Sequence, residues 1–179
     1  MILMNLNSFS YSLLLMLISC VLIFFRLLPL DTLPKDRAYP DLLLCVIIAW
    51  CMRRPTSTPV VLLAILFLFQ DILLQRPLGL FATSAVLLCE WCKRQSIRAG
   101  EFPFSIEWLT ASFAMIMIFF LIRIVASLSL VPTPPLHLGI KEVFVTILVY
   151  PFVVLFMRFG MGLRKTQNAN RSSKLRKSG

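Results

Sequence analysis

An all-α membrane protein, built as a bundle of six transmembrane helices, is the fold class this chain predicts, on three observations. Apolar residues make up 59% of its 179 positions and charged residues only 15%, with a mean hydropathy of +0.86, far outside the soluble globular range. The apolar residues gather into six runs, near 9–30, 41–52, 59–75, 77–92, 105–130 and 142–160. Basic residues concentrate in alternate connections and in the tail, the pattern that positive-inside sorting produces. The chain leaves no room for a second sizeable domain. Residues 1–160 read as one polytopic bundle and 161–179 as a basic cytoplasmic tail, expected to be disordered.

The first run has no basic residue before it and continues through Val21–Phe25, past the lipoprotein-like Leu17-Ile18-Ser19-Cys20. A cleavable signal has a basic start and a shorter core, so this run reads as a retained helix, with Pro29 and Pro34 after it. The second run is short: Leu42–Met52 covers about 16 Å at helical rise. It is either a half-depth segment or a full crossing whose flanking Asp41, Arg53 and Arg54 snorkel to the interfaces. The second reading is preferred because the charges then alternate by side. Pro40, Pro59 and Pro77 stand at the entries of the second, third and fourth runs, where a missing N–H costs little. The first, fifth and sixth runs are long enough for about 30 Å of hydrocarbon. Pro132, Pro134 and Pro135 stiffen the last connection, and Pro151 is expected to kink the sixth helix.

Seven Lys and Arg lie from Arg158 onward with no acid among them; removing them from the 18 basic residues leaves 11 against 8 acids. Such a tail suits a cytoplasmic position near anionic lipid. It has no aromatic residue to stack a base, which argues against nucleic acid. With the tail inside, six crossings place both termini in the cytoplasm. Arg53-Arg54 and Lys93, Arg94 and Arg98 are then inside. Lys35 and Arg37 (balanced by Asp31 and Asp36), Arg76 near Asp71, and Lys141 beside Glu142 are outside.

Arg26, Asp71 and Arg123 are ionisable residues within apolar runs, all in the outer half under this topology, with Arg76 and Asp41 nearby. Intramembrane charge is expensive and marks pairing or function. The sharper reading is a polar cluster of Arg26, Asp71, Arg76 and Arg123 shaping an outward pocket; the plainer one has Arg26 snorkelling and Asp71 meeting Arg76. Trp50, Trp91, Trp108, Tyr11, Tyr39 and Tyr150 lie near predicted helix ends and read as interfacial belts. Glu101, Glu107 and Glu142 read as solitary groups at helix ends. The five cysteines read as packing, since Cys89-Glu-Trp-Cys92 lacks further metal ligands. No catalytic set, cofactor motif or metal site is legible.

The stretch from Arg37 to Leu80 resembles the rod-shape-determining membrane protein family MreD. The matching residues are Arg37, Pro40-Asp41, Trp50, Arg53-Arg54-Pro55, Asp71 and Pro77-Leu78-Gly79. The resemblance implies a non-catalytic component of the bacterial cell-elongation machinery in the cytoplasmic (inner) membrane. Its implied partners are an MreC-like protein and, through it, MreB-like filaments and a RodA-type glycosyltransferase with a penicillin-binding transpeptidase. It also implies a fold similar to the substrate-binding subunits of energy-coupling-factor transporters. The alternative takes that likeness literally: a small-molecule-binding membrane subunit of a transporter.

Overall fold

The computed structural model describes residues 2–28, 39–75, 77–99, 103–128 and 135–160. Among them are six helices and no strand: α1 (Ile2–Leu27), α2 (Leu42–Arg53), α3 (Val60–Leu73), α4 (Leu80–Ala99), α5 (Phe104–Leu128) and α6 (Leu136–Gly160). A short 3-10 turn, Pro55–Ser57, follows α2. Arg37, Arg76, Glu101 and the 161–179 tail lie outside the described residues.

Local chemistry sets the boundaries. The Asp41 carboxylate accepts from Leu44 N at 3.2 Å and caps α2, satisfying a donor that the first helical turn cannot. Pro59 is the N-cap of α3. The carbonyls of Pro103 and Pro135 accept from Glu107 N and Gly139 N, both at 3.4 Å, as α5 and α6 begin. Three helices outrun their apolar runs. α1 starts at Ile2 instead of 9, α4 continues past residue 92 through Lys93, Arg94 and Arg98, and α6 starts at Leu136 instead of 142. The last two extensions carry charge and the first carries Asn5 and Asn7; polar residues end an apolar run without ending a helix. α6 also passes through Pro151 and continues to Gly160.

The short second run is the centre of the bundle. Every residue of α2 from Leu43 to Arg53 is buried, sheathed by α1, α4, α5 and α6. At 12 residues it is about 18 Å long, and it is apolar on all sides, as a helix with no exposed face must be. Trp50 and Tyr150 are fully buried here, so neither belongs to an interfacial belt. The outer helices turn large apolar side chains outward, including Phe24 on α1, Val61 on α3, Leu109 on α5 and Phe156 on α6. Among the described residues, three segments are long and apolar enough to cross a membrane: Phe9–Leu27, Phe104–Leu128 and Leu136–Phe159. Their length and composition are those of a membrane protein.

Cross-helix contacts define two polar ends. At one, the start of α2 (Asp41) meets the end of α1 (Arg26), the last turns of α3 (Gln70) and the first half of α6 (Thr146). At the other, Arg53 closing α2 meets Glu107 opening α5, and Lys93 late in α4 donates to the Thr58 carbonyl before α3. Neighbouring helices therefore alternate in direction. Arg53, Arg54, Lys93, Arg94, Arg98 and Arg158 fall at one end, while Asp41, Asp71 and Glu142 fall at the other.

Candidate functional site

The most densely bonded polar group surrounds Asp41. Its Oδ2 lies 2.8 Å from Arg26 Nη1 and accepts from Gln70 Nε2 at 3.3 Å. Its backbone N–H donates to Thr146 Oγ1 at 3.1 Å. Arg26 Nη2 reaches Glu142 Oε1 at 3.3 Å, and Thr146 Oγ1 donates to the Glu142 carbonyl at 2.6 Å. The Asp41 carboxylate thus caps its own helix and ties α1 and α3 to it, while its backbone N–H ties α6. A guanidinium within the apolar span of α1 is costly unless paired, and two acids from different helices pair this one.

Among the described contacts, none joins Arg26, Asp71 and Arg123 to one another. Asp71 Oδ2 accepts from Gly79 N at 3.1 Å and Ala82 N at 3.2 Å. It caps α4 from the end of α3, closing the turn that carries Pro77 and Leu78. Gly79 has φ +82°, a conformation glycine adopts without strain. The Arg123 guanidinium sits 6.0 Å from the Phe119 ring centroid. The acids that Arg26 meets are Asp41 and Glu142. Glu142 is therefore not solitary.

The opposite end corrects a second expectation. Arg53 Nε lies 3.1 Å from Glu107 Oε1, with the two side chains 8% and 2% exposed. Asp41 and Arg53 do not snorkel, because α2 is ringed by protein and its flanking charges meet neighbouring helices instead of headgroups. Arg54, half-buried, lies 4.3 Å over the Tyr11 ring, an arrangement that cation–π attraction favours. Ser12 Oγ donates to the Ser57 carbonyl at 2.7 Å, and Ser96 Oγ donates to that of Met52. Pro55 opens the turn that carries the Ser57 carbonyl.

Gln70 and Thr146 complete these clusters and carried no signal in the sequence, whereas Glu107 and Glu142, expected there to be solitary, are both paired with arginines. All five cysteines are free, with Cys20 exposed and the other four buried. Among the described residues no group of three or more His, Cys, Asp or Glu is placed to hold a metal ion. An apolar groove of about 440 Å³ runs between α1 and α6 with α2 as its floor, lined by Ile18, Leu22, Leu42, Val46 and, on α6, Phe152, Val153, Phe156 and Met157. No family model, curated protein or solved structure matches the chain. What the arrangement does chemically is brace: its charges are spent joining helices.

Proposed function

We propose that this chain is a non-catalytic membrane component of the bacterial cell-elongation machinery, of the MreD kind. It would organise lateral wall synthesis through an MreC-like bitopic partner and, beyond it, MreB-like filaments and a RodA-type glycosyltransferase with its transpeptidase. The observation that carries the reading is where the MreD-like residues sit. Asp41, Trp50, Arg53, Arg54 and Pro55 belong to α2 and its two ends, and Asp71, Pro77 and Gly79 build the α3–α4 turn. Each braces the bundle, as a scaffold requires and an active site does not.

In this reading all six helices cross the bilayer in a bundle similar to the substrate-binding subunits of energy-coupling-factor transporters. The Arg53 end and both termini face the cytoplasm, with the basic tail beside anionic lipid. The concentration of Arg and Lys at that end supports the orientation. Neither α2 nor α3 is long enough to span alone, so their crossing relies on the longer helices around them. A transporter subunit would present unspent polar groups to a ligand, and the groove beside α2 is apolar throughout.

The test is purification of the full chain in mild detergent from its own host, with identification of what accompanies it. Recovery of a bitopic MreC-like protein in fixed proportion is expected. Recovery of an ATPase pair or a tightly held small molecule instead would overturn the scaffold reading.

A further inference from the structure

We infer that the last part of α6 is a hinged wall, pivoting at Pro151 and latched by Trp108. Proline has no N–H, so Pro151 cannot donate to the carbonyl four residues earlier. That carbonyl, on Ile147, is taken instead by Trp108 Nε1 of α5, at 3.2 Å. The indole replaces the hydrogen bond that proline removes, at the point where α6 would otherwise yield most readily. In an apolar surrounding an unpaired carbonyl and an unpaired indole N–H each carry a penalty, so the pair holds closed unless something displaces it.

The two sides of this break are fastened differently. Before Pro151, α6 is tied to its neighbours by Glu142 to Arg26, Thr146 to Asp41, and Cys45 Sγ to the Thr146 carbonyl at 3.5 Å. After it, among the described residues, no side-chain hydrogen bond or ion pair holds the helix; Val154 and Met157 pack by apolar contact alone. Apolar contacts are non-directional and slide where hydrogen bonds do not.

The groove lies beside this loosely fastened segment. Its four α6 residues, Phe152, Val153, Phe156 and Met157, all follow Pro151. The facing wall, α1, is pinned near its C-terminal end by Arg26 to Asp41 and at mid-length by Ser12 to the Ser57 carbonyl. α1 and α6 do not pack on each other, and the Arg26–Glu142 pair is their one polar link among the described residues. Rotation at Pro151 therefore changes the width of the groove while leaving the Asp41 cluster in place.

The experiment measures that width in lipid nanodiscs by pulsed electron spin resonance. One label goes on the native exposed Cys20 of α1 and one on Phe159→Cys near the end of α6; the other cysteines are buried. A change of about 20° at a proline kink, acting over about 12 Å of helix at 1.5 Å per residue, moves Phe159 by roughly 4 Å. Trp108→Phe should shift or broaden the distance distribution by that amount. With Pro151→Ala, an N–H is restored to Ile147, and Trp108→Phe should then leave the distribution unchanged. An unchanged distribution in Trp108→Phe, or an equal shift in the Pro151→Ala background, overturns the hinge. Hydrogen exchange on the unlabelled Trp108→Phe chain gives a separate reading. Faster exchange confined to amides after Pro151 is expected, and uniform change or no change along α6 contradicts it.

Discussion

Glu107→Leu is the perturbation whose size follows most directly from the structure. It removes the acid 3.1 Å from Arg53 Nε in a pair whose side chains are 8% and 2% exposed. At an effective dielectric of about 20, unit charges that close attract by roughly 5 kcal/mol before desolvation is counted. Desolvation has already been met for both partners, so removing one leaves a buried cation, and breaking such a pair costs about 3–5 kcal/mol. Arg53→Leu should cost a similar amount. The double variant should cost less than the sum of the two, because an apolar pair of similar volume is tolerated at a buried site. The assay is reversible unfolding in mixed micelles by detergent titration, read as a double-mutant cycle. Near-neutral single variants, or costs that simply add, would refute the pairing as a brace at this end of α2.

Asp71→Ala removes the carboxylate that accepts from Gly79 N and Ala82 N; the same titration should show a loss of about 0.5–2 kcal/mol, as for other helix caps. Asp71→Asn, which keeps an acceptor, should lose less. Arg26→Leu should partly rescue Asp41→Leu, whereas neither Arg26→Leu nor Arg123→Leu should rescue Asp71→Leu. Gly139→Ala would put a Cβ 2.5 Å from Phe119 Cε2; overpacking of that kind costs about 1–3 kcal/mol, offset in part by alanine's better helix propensity. Phe119→Leu should relieve it, and a Gly139→Ala chain more stable than the parent would show that the α5–α6 contact yields freely.

Helix positions were largely legible because each apolar run had to be a helix in hydrocarbon, where no other open segment satisfies its backbone. The misplaced boundaries, the start of α1, the end of α4 and the start of α6, lie where Asn5 and Asn7, Lys93–Arg98 and Lys141 interrupt apolarity without interrupting the helix. The burial of Trp50 and Arg53 was harder to read. A short run that is apolar all round suits either a half-depth segment or the centre of a bundle, and only the surrounding helices decide. Partnerships were the least legible. Arg26 announces that it needs an acid, but Glu142 lies at a sequence separation of 116, and periodicity within one helix says nothing about the helix opposite. Asp41 had a local signal, an acid immediately before an apolar run. Asp71 caps a helix that begins after a turn, beyond the usual reach of a cap pattern.

The proposed role in cell elongation is tested most directly by cell shape. Conditional depletion of this protein in its own bacterium, with cell width followed by microscopy, should turn rods into wide or round cells, and the wild-type chain should restore them. Asp41→Leu, which removes the side-chain ties of α1 and α3 to the central helix, should restore width less well when its membrane level matches the wild type. Rods of unchanged width after depletion would contradict the account.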